Sequence, residues 1–262
     1  MCLVNQKGEF MPKDTFNQKF YYPNGDFISF RQVKGKQPGV FYLHGTRSSI
    51  DSTKATFVEE FCRDRGIAFT SLNFRGHGDS SGDFTDFTIS DWFDDAASIL
   101  DNETEGKQVI VGSSMGGWIM LLLALRRSER VKGLVGISAA PDFTEMIMQL
   151  LPDTMKKDLL AKGIIYTPNE YDSIGDPWTL KLLEDGKKNL VLQSKITLTA
   201  PVILLHGDKD DVVPLQTALK TKDIINAPEV KLLIQKDGKH NLSRPQELDI
   251  LAKSIEEVRN YK

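Results

Sequence analysis

Cysteine is nearly absent, with only Cys2 and Cys62 in a chain of 262 residues. Two cysteines cannot make a disulfide framework, so apolar packing must hold the core. Cys62, in "FVEEFCRDRG", falls on a helical pattern and reads as a small buried hydrophobe rather than a reactive thiol. Long apolar runs are missing too. The longest, Trp118 to Leu125, is far short of the roughly 20 residues that cross a bilayer, so no stable membrane insertion is expected. The opening "MCLVNQKGEFMPKD" lacks both the apolar core of a secretory signal and the Arg/Ser bias of a transit peptide. A cytoplasmic location is expected. Positive charge is not in excess: the formal charge is −3 with the signs interspersed, which gives no reason to expect a nucleic-acid partner. Histidine is scarce, and His44, His77, His206 and His240 are dispersed without paired ligand spacing, so no metal is expected. No Gly-x-Gly-x-x-Gly opens a helix after the first strand, and no Walker-type Gly-Lys-Ser/Thr occurs. The chemistry is expected to need no cofactor.

What is present is an alternation. "KFYYP" and "FISFRQV" flank Asn24-Gly25, a hairpin signal. Strands are then expected at 39–45, 67–76, 107–113, 131–138, 199–207 and 229–235. Helices are expected near 52–65, 89–101, from Ser114 onward, and near 215–225 and 244–258. Short apolar strands separated by helices predict an α/β fold, a mostly parallel sheet with helices on both faces. No linker or repeat divides residues 1–262, so one domain is expected. The segment from about 142 to 196 interrupts the alternation with two or three short helices and no strand between them. It is expected to lie over the strand ends as a small helical cap. Phe143, Met146, Ile147, Leu150 and Leu151 share a helical face there, either lining a pocket or packing on the body of the fold.

Ligands of such sheets bind at the carboxyl ends of the strands, which is where chemistry is sought. Gly-x-Ser-x-Gly occurs twice, as Gly112–Gly116 and as Gly78–Gly82. Ser114 directly follows "QVIVGS" and opens a helix, the strand-turn-helix setting that exposes a nucleophile over a helix N-terminus. Ser80 sits in the polar loop "RGHGDSSGDF", with no strand directly before it and no helix starting at it, so its match to the pattern is coincidental. A nucleophilic serine needs a base to take its proton and donors for the oxyanion. His44 and His206 each close a strand inside His-Gly and should hydrogen-bond backbone. His240, in "KDGKHNLSRP" between the last strand and the last helix, can reach the serine. The acid must lie between the two, and "LLHGDKDDVVP" offers Asp208, Asp210 and Asp211, among which spacing does not choose. The oxyanion donors should be the amides of Met115, after the nucleophile, and of Thr46, after His44-Gly45.

At "HGT", "GSSMGG", "HGDKDDVVP" and "GKH" the chain resembles the α/β-hydrolase superfamily. More narrowly it resembles the subgroup of mitochondrial acyl-protein thioesterases and their bacterial relatives. "STKATFVEEFCRDRG" and "MKKDLLAKGIIYTPNEY" are similar to that branch as well, and the resemblance runs from about residue 38 to 258. It implies an α/β-hydrolase fold and a Ser-His-Asp triad. Its His-Gly-x-x-Asp-x-x-Val-Pro pattern, laid on His206 to Pro214, selects Asp210. It further implies hydrolysis of acyl thioesters on S-acylated protein, or of carboxylic esters such as acyl glucuronides; a general carboxylesterase acting on short esters is the alternative. Thr46 and Arg47 depart from the larger apolar or aromatic residue common after His-Gly in the wider superfamily, and the targeting extension of mitochondrial members is not seen.

Overall fold

The apolar runs pair into one eight-stranded sheet. The computed structural model describes residues 17–169 and 173–262, so the opening stretch and Cys2 lie outside the described residues. In chain order the elements are β1 (Gln18–Tyr21), β2 (Phe27–Val33), β3 (Lys36–Leu43), α1 (Thr53–Asp64), β4 (Ile67–Leu72), α2 (Ile89–Glu103), β5 (Gln108–Ser113), α3 (Met115–Arg126) and β6 (Val131–Ile137). There follow α4 (Phe143–Leu150), α5 (Asp153–Lys162), β7 (Ile164–Thr167), β8 (Asp176–Thr179) and α6 (Leu180–Lys188). The chain continues through β9 (Ile196–Thr197), β10 (Val202–Gly207), α7 (Leu215–Ile224), β11 (Ile225–Asn226), β12 (Val230–Gln235) and α8 (Pro245–Asn260).

The strand order is β1-β2-β4-β3-β5-β6-β10-β12. β1 and β2 pair antiparallel with each other, and β2 with β4; every other pairing within this sheet is parallel. The order reverses around β3, and at such a point the loops leaving neighbouring strands diverge to open a crevice at the carboxyl edge. Alternation within each strand decides the two cores. Phe41, Leu43, Ile110 and Leu134 face α2 and α3, whereas Val40, Tyr42, Val109 and Val135 face α1 and α8. Every residue of α3 from Met115 to Ala124 is buried, so this helix is apolar all round because it is enclosed all round. Trp92 and Trp118 are fully buried, and each contributes roughly 3 kcal/mol by leaving water. Cys62 is fully buried on α1, and burial pushes its thiol up to about 12, which keeps it protonated and inert.

The segment between β6 and β9 differs from the sequence expectation. It holds three helices, but β7 and β8 pair as an antiparallel hairpin in its middle. Four-residue strands carry too little alternation to be told from loop by pattern. The two ends of the segment are tied together by Asp142, whose carboxylate accepts the amides of Val191 (2.8 Å) and Leu192 (2.9 Å).

Candidate active site

The turn from β5 into α3 sets Ser114 apart from its neighbours. Its φ is +52°, in the left-handed region, at a cost of roughly 1–3 kcal/mol that the surroundings must hold. Those surroundings are crowded. A Cβ on Gly112 would lie 2.4 Å from the Gly116 carbonyl oxygen, and one on Gly116 would lie 2.3 Å from that of Leu43. Only glycine lets the turn close over β3 and α3 at once. The Ser114 amide donates to Ile137 O (2.9 Å), and its carbonyl accepts from Gly117 N (2.8 Å) and Ala140 N (3.0 Å). The serine is therefore pinned between the ends of β5 and β6.

His240 reaches it from the loop after β12. Its Nε2 lies 3.1 Å from Ser114 Oγ, and its Nδ1 lies 3.0 and 3.1 Å from the two carboxylate oxygens of Asp210, after β10. An ionised carboxylate only accepts, so Nδ1 carries the ring proton and Nε2 is left to accept the Ser114 hydroxyl. Asp210 Oδ1 also accepts the amides of Val212 (3.0 Å) and Val213 (2.8 Å). Burial pushes the Asp210 carboxyl up, but the His240 ring and these two amides outweigh it, leaving it below its ordinary pKa. Asp208 and Asp211, the other two acids of that loop, are exposed.

Thr46 lines the same cavity, and a Cβ on the preceding Gly45 would stand 3.0 Å from Ser114 Cβ. Gly45 thus lets the loop after β3 approach the serine closely, with Thr46 next to it. Met115 is the first residue of α3, beside the serine. The structure brings together Ser114, His240, Asp210, Thr46 and Met115, which sequence reading draws from four separate stretches.

The remaining histidines are walled in. His44 Nδ1 contacts its neighbour's carbonyl, Gly45 O, at 2.7 Å, and His44 Nε2 accepts from Phe74 N at 3.3 Å. His206 Nε2 donates to Val213 O at 2.9 Å. His77 packs against His44, Phe84 and Trp92. Burial pulls His44 down to about 3, with His77 adding to it, and pulls His77 down to about 4, so both stay neutral.

Ser80 is a structural residue. It is buried, its hydroxyl donates to Asn73 O (2.6 Å), and it accepts from Ser29 N (2.8 Å). Ser80→Ala should strand two buried backbone groups and lower stability by about 1–3 kcal/mol in urea unfolding, with reactivity at Ser114 retained. Loss of reactivity without loss of stability would contradict that role.

The cavity at Ser114 has a volume of about 680 Å3. Its apolar wall is not the face of α4. Phe143 is buried against Trp118 and Trp178, Leu150 is exposed, and Leu151 packs in a small separate cluster with Leu159 and Ile165. The wall comes instead from Pro177 and Trp178 of β8 with Phe84, residues that sequence reading missed. A Pro-Trp pair between polar stretches was the available signal. The rest of the lining includes polar residues, among them Tyr42, Ser52, Lys54, Asn241 and Ser243. Arg47 spans the rim, its Nη1 lying 2.6 Å from Asp176.

Among known proteins, residues 36–164 match the family described as serine aminopeptidase, S33. Mouse mitochondrial palmitoyl-protein thioesterase ABHD10 is 36% identical over 93% of this chain and 82% of its own. The chain belongs to the α/β-hydrolase family. The solved structure of mouse α/β-hydrolase domain-containing protein 10 superposes on this α/β-hydrolase with a TM-score of 0.86 at 34% identity, covering 93% of this chain and 98% of that one. A solved protein from Agrobacterium vitis S4 gives 0.88 at 34% identity, covering 95% and 100%. This α/β-hydrolase is an enzyme of the hydrolase class, and no helix among its described residues is long and apolar enough to cross a membrane.

Proposed function

We propose that this hydrolase cleaves acyl thioesters through a Ser114–His240–Asp210 triad and an acyl-enzyme intermediate. The observation that carries this reading is the hydrogen-bonded series from Asp210 through His240 to a strained serine at the mouth of a cavity. In the first step His240 Nε2 takes the Ser114 proton as Oγ bonds to the substrate carbonyl carbon. The oxyanion forms between the amides of Thr46 and Met115. The carbonyl re-forms as the bond to sulfur or oxygen breaks, and His240 returns the proton to the departing alkoxide. A thiolate needs little such help to leave, and it takes the His240 proton once the bond has broken, so the ring is neutral again for the second step. In the second step water gives its proton to His240 and attacks the acyl-serine, and Ser114 departs with that proton restored. Asp210 holds the tautomer and stabilises the imidazolium without becoming protonated. Residues 142–196 act in this reading as a cap inserted in a single domain, with β8 supplying the wall for the acyl chain. The substrate class, an acyl group on protein cysteine, is supported by the likeness to a relative named as a palmitoyl-protein thioesterase.

The test is a comparison of kcat/KM for a thioester and an oxygen ester of the same acyl chain. The thioester should be preferred by at least about tenfold, more than one hydrogen bond's worth of discrimination. A strong ester preference would replace the reading with a carboxylesterase acting on short or acyl-glucuronide-type esters.

A further inference from the structure

Lys54 breaks two rules that lysines usually keep. It stands in the first turn of α1, where the helix dipole favours negative charge, and it is only 8% exposed. Its ammonium donates to the main-chain carbonyl of Asn241, the residue after His240. An ammonium has three N–H donors, and among the described residues this carbonyl is the one acceptor it meets. Burial pulls its pKa down to about 8, with the more distant Glu247 opposing, so it still carries its charge at neutral pH. A charge buried with so little compensation weakens the fold. Sequences keep such breaches of local rules at sites that need them.

The loop that Lys54 grips carries the base. Its backbone enters the left-handed region at Asp237 (φ +54°) and again at Leu242 (φ +40°), an unfavourable conformation for a bulky residue, and His240 lies between. Backbone of this kind persists only where its surroundings hold it. Before His240, the carbonyl of Gly238 accepts from Lys209 N (2.9 Å), which ties the loop to that of Asp210. After it, the Leu242 side chain is buried in the core shared with α1 and α8, and Asn241 O accepts both Lys54 Nζ and Ser243 Oγ (3.0 Å). Ser243 belongs to the same loop. Lys54 is the donor that ties Asn241 to another element.

We propose that Lys54 is a positioning residue for the base. By holding Asn241 O it keeps the His240 ring where Nε2 meets Ser114 Oγ at 3.1 Å while Nδ1 stays on Asp210. A charge-assisted hydrogen bond is roughly twice as strong as a neutral one, so the cation fixes the loop more firmly than Ser243 does. The proposal rests on the serine-hydrolase reading and adds to it a residue that acts through His240 rather than on the substrate. A positioning role differs from a merely structural one in sign. Removing the lysine relieves the fold of a buried charge and leaves Asn241 O bonded to Ser243, so stability is kept or raised. The reaction loses its grip on the base, and a misplacement of about 1 Å costs about 100-fold.

Lys54→Met should lower kcat on p-nitrophenyl butanoate by about 10- to 100-fold, change KM by less than about threefold, and slow fluorophosphonate labelling in step. Its Tm should equal or exceed that of the native chain. Native kcat in Lys54→Met would overturn the proposal. So would a Tm lowered by more than about 4 °C, because the lysine would then be holding the fold rather than the histidine. A rise in KM with kcat unchanged would also overturn it and make Lys54 a substrate-binding group. If the native chain neither turns over the ester nor takes the fluorophosphonate label, the serine-hydrolase reading fails and the positioning role falls with it.

Discussion

Ser114→Ala is expected to abolish hydrolysis, lowering kcat by roughly 10^4-fold or more, and to abolish labelling by a fluorophosphonate probe. The size follows from the role. The serine oxygen forms the covalent bond to the acyl group, and without it only binding and oxyanion stabilisation remain. Stability should hardly change, because alanine keeps the Cβ and with it the +52° φ that the surrounding glycines accommodate. A thermal melt would show that the variant is folded. Labelling at the native level in Ser114→Ala would remove the assignment. Equal loss of labelling in Ser80→Ala would reopen the second Gly-x-Ser-x-Gly match.

Asp210→Asn should lower kcat by roughly 10^4-fold while leaving the fold intact. Both the Val212 and Val213 amides donate to Oδ1 of Asp210. In the variant the amide oxygen stays on those two donors, and the new NH2 turns toward His240 Nδ1. The ring must then accept at Nδ1 and carry its proton on Nε2. A protonated Nε2 cannot take the Ser114 proton. Asp208→Asn and Asp211→Asn alter exposed carboxylates and should change kcat by less than about tenfold, as surface substitutions usually do little. Steady-state kinetics on one ester with all three variants decides the matter. A loss in Asp211→Asn as deep as that in Asp210→Asn would sink the choice of acid.

Much of the architecture was legible before any coordinates. The hairpin at Asn24-Gly25, the six longer strands and their helices fell close to where apolar runs and periodicity placed them. Those signals are local: a buried parallel strand needs consecutive apolar residues, and a covering helix needs its own repeat. The preference for Ser114 over Ser80 was legible for the same reason, since it depended on which serine had a strand before it and a helix after it. The hairpin β7–β8 was not legible, because two four-residue strands bury too few side chains to leave a pattern.

The sequence by itself determined the α/β alternation, the strand-turn-helix around Ser114 and a histidine and acids downstream in the right order. Spacing left three aspartates open and the family pattern picked out Asp210, the one the fold sets against His240; only the tertiary structure decided that the cavity's apolar wall is Trp178 rather than the α4 face, and that Lys54 is buried in it. Lysine on a helix reads as a solvated residue until the loop of Asn241 is folded over it. Periodicity is written along the chain, whereas the choice among neighbouring polar residues is made by the register of strands and loops far apart in sequence. That register exists only once the sheet has formed.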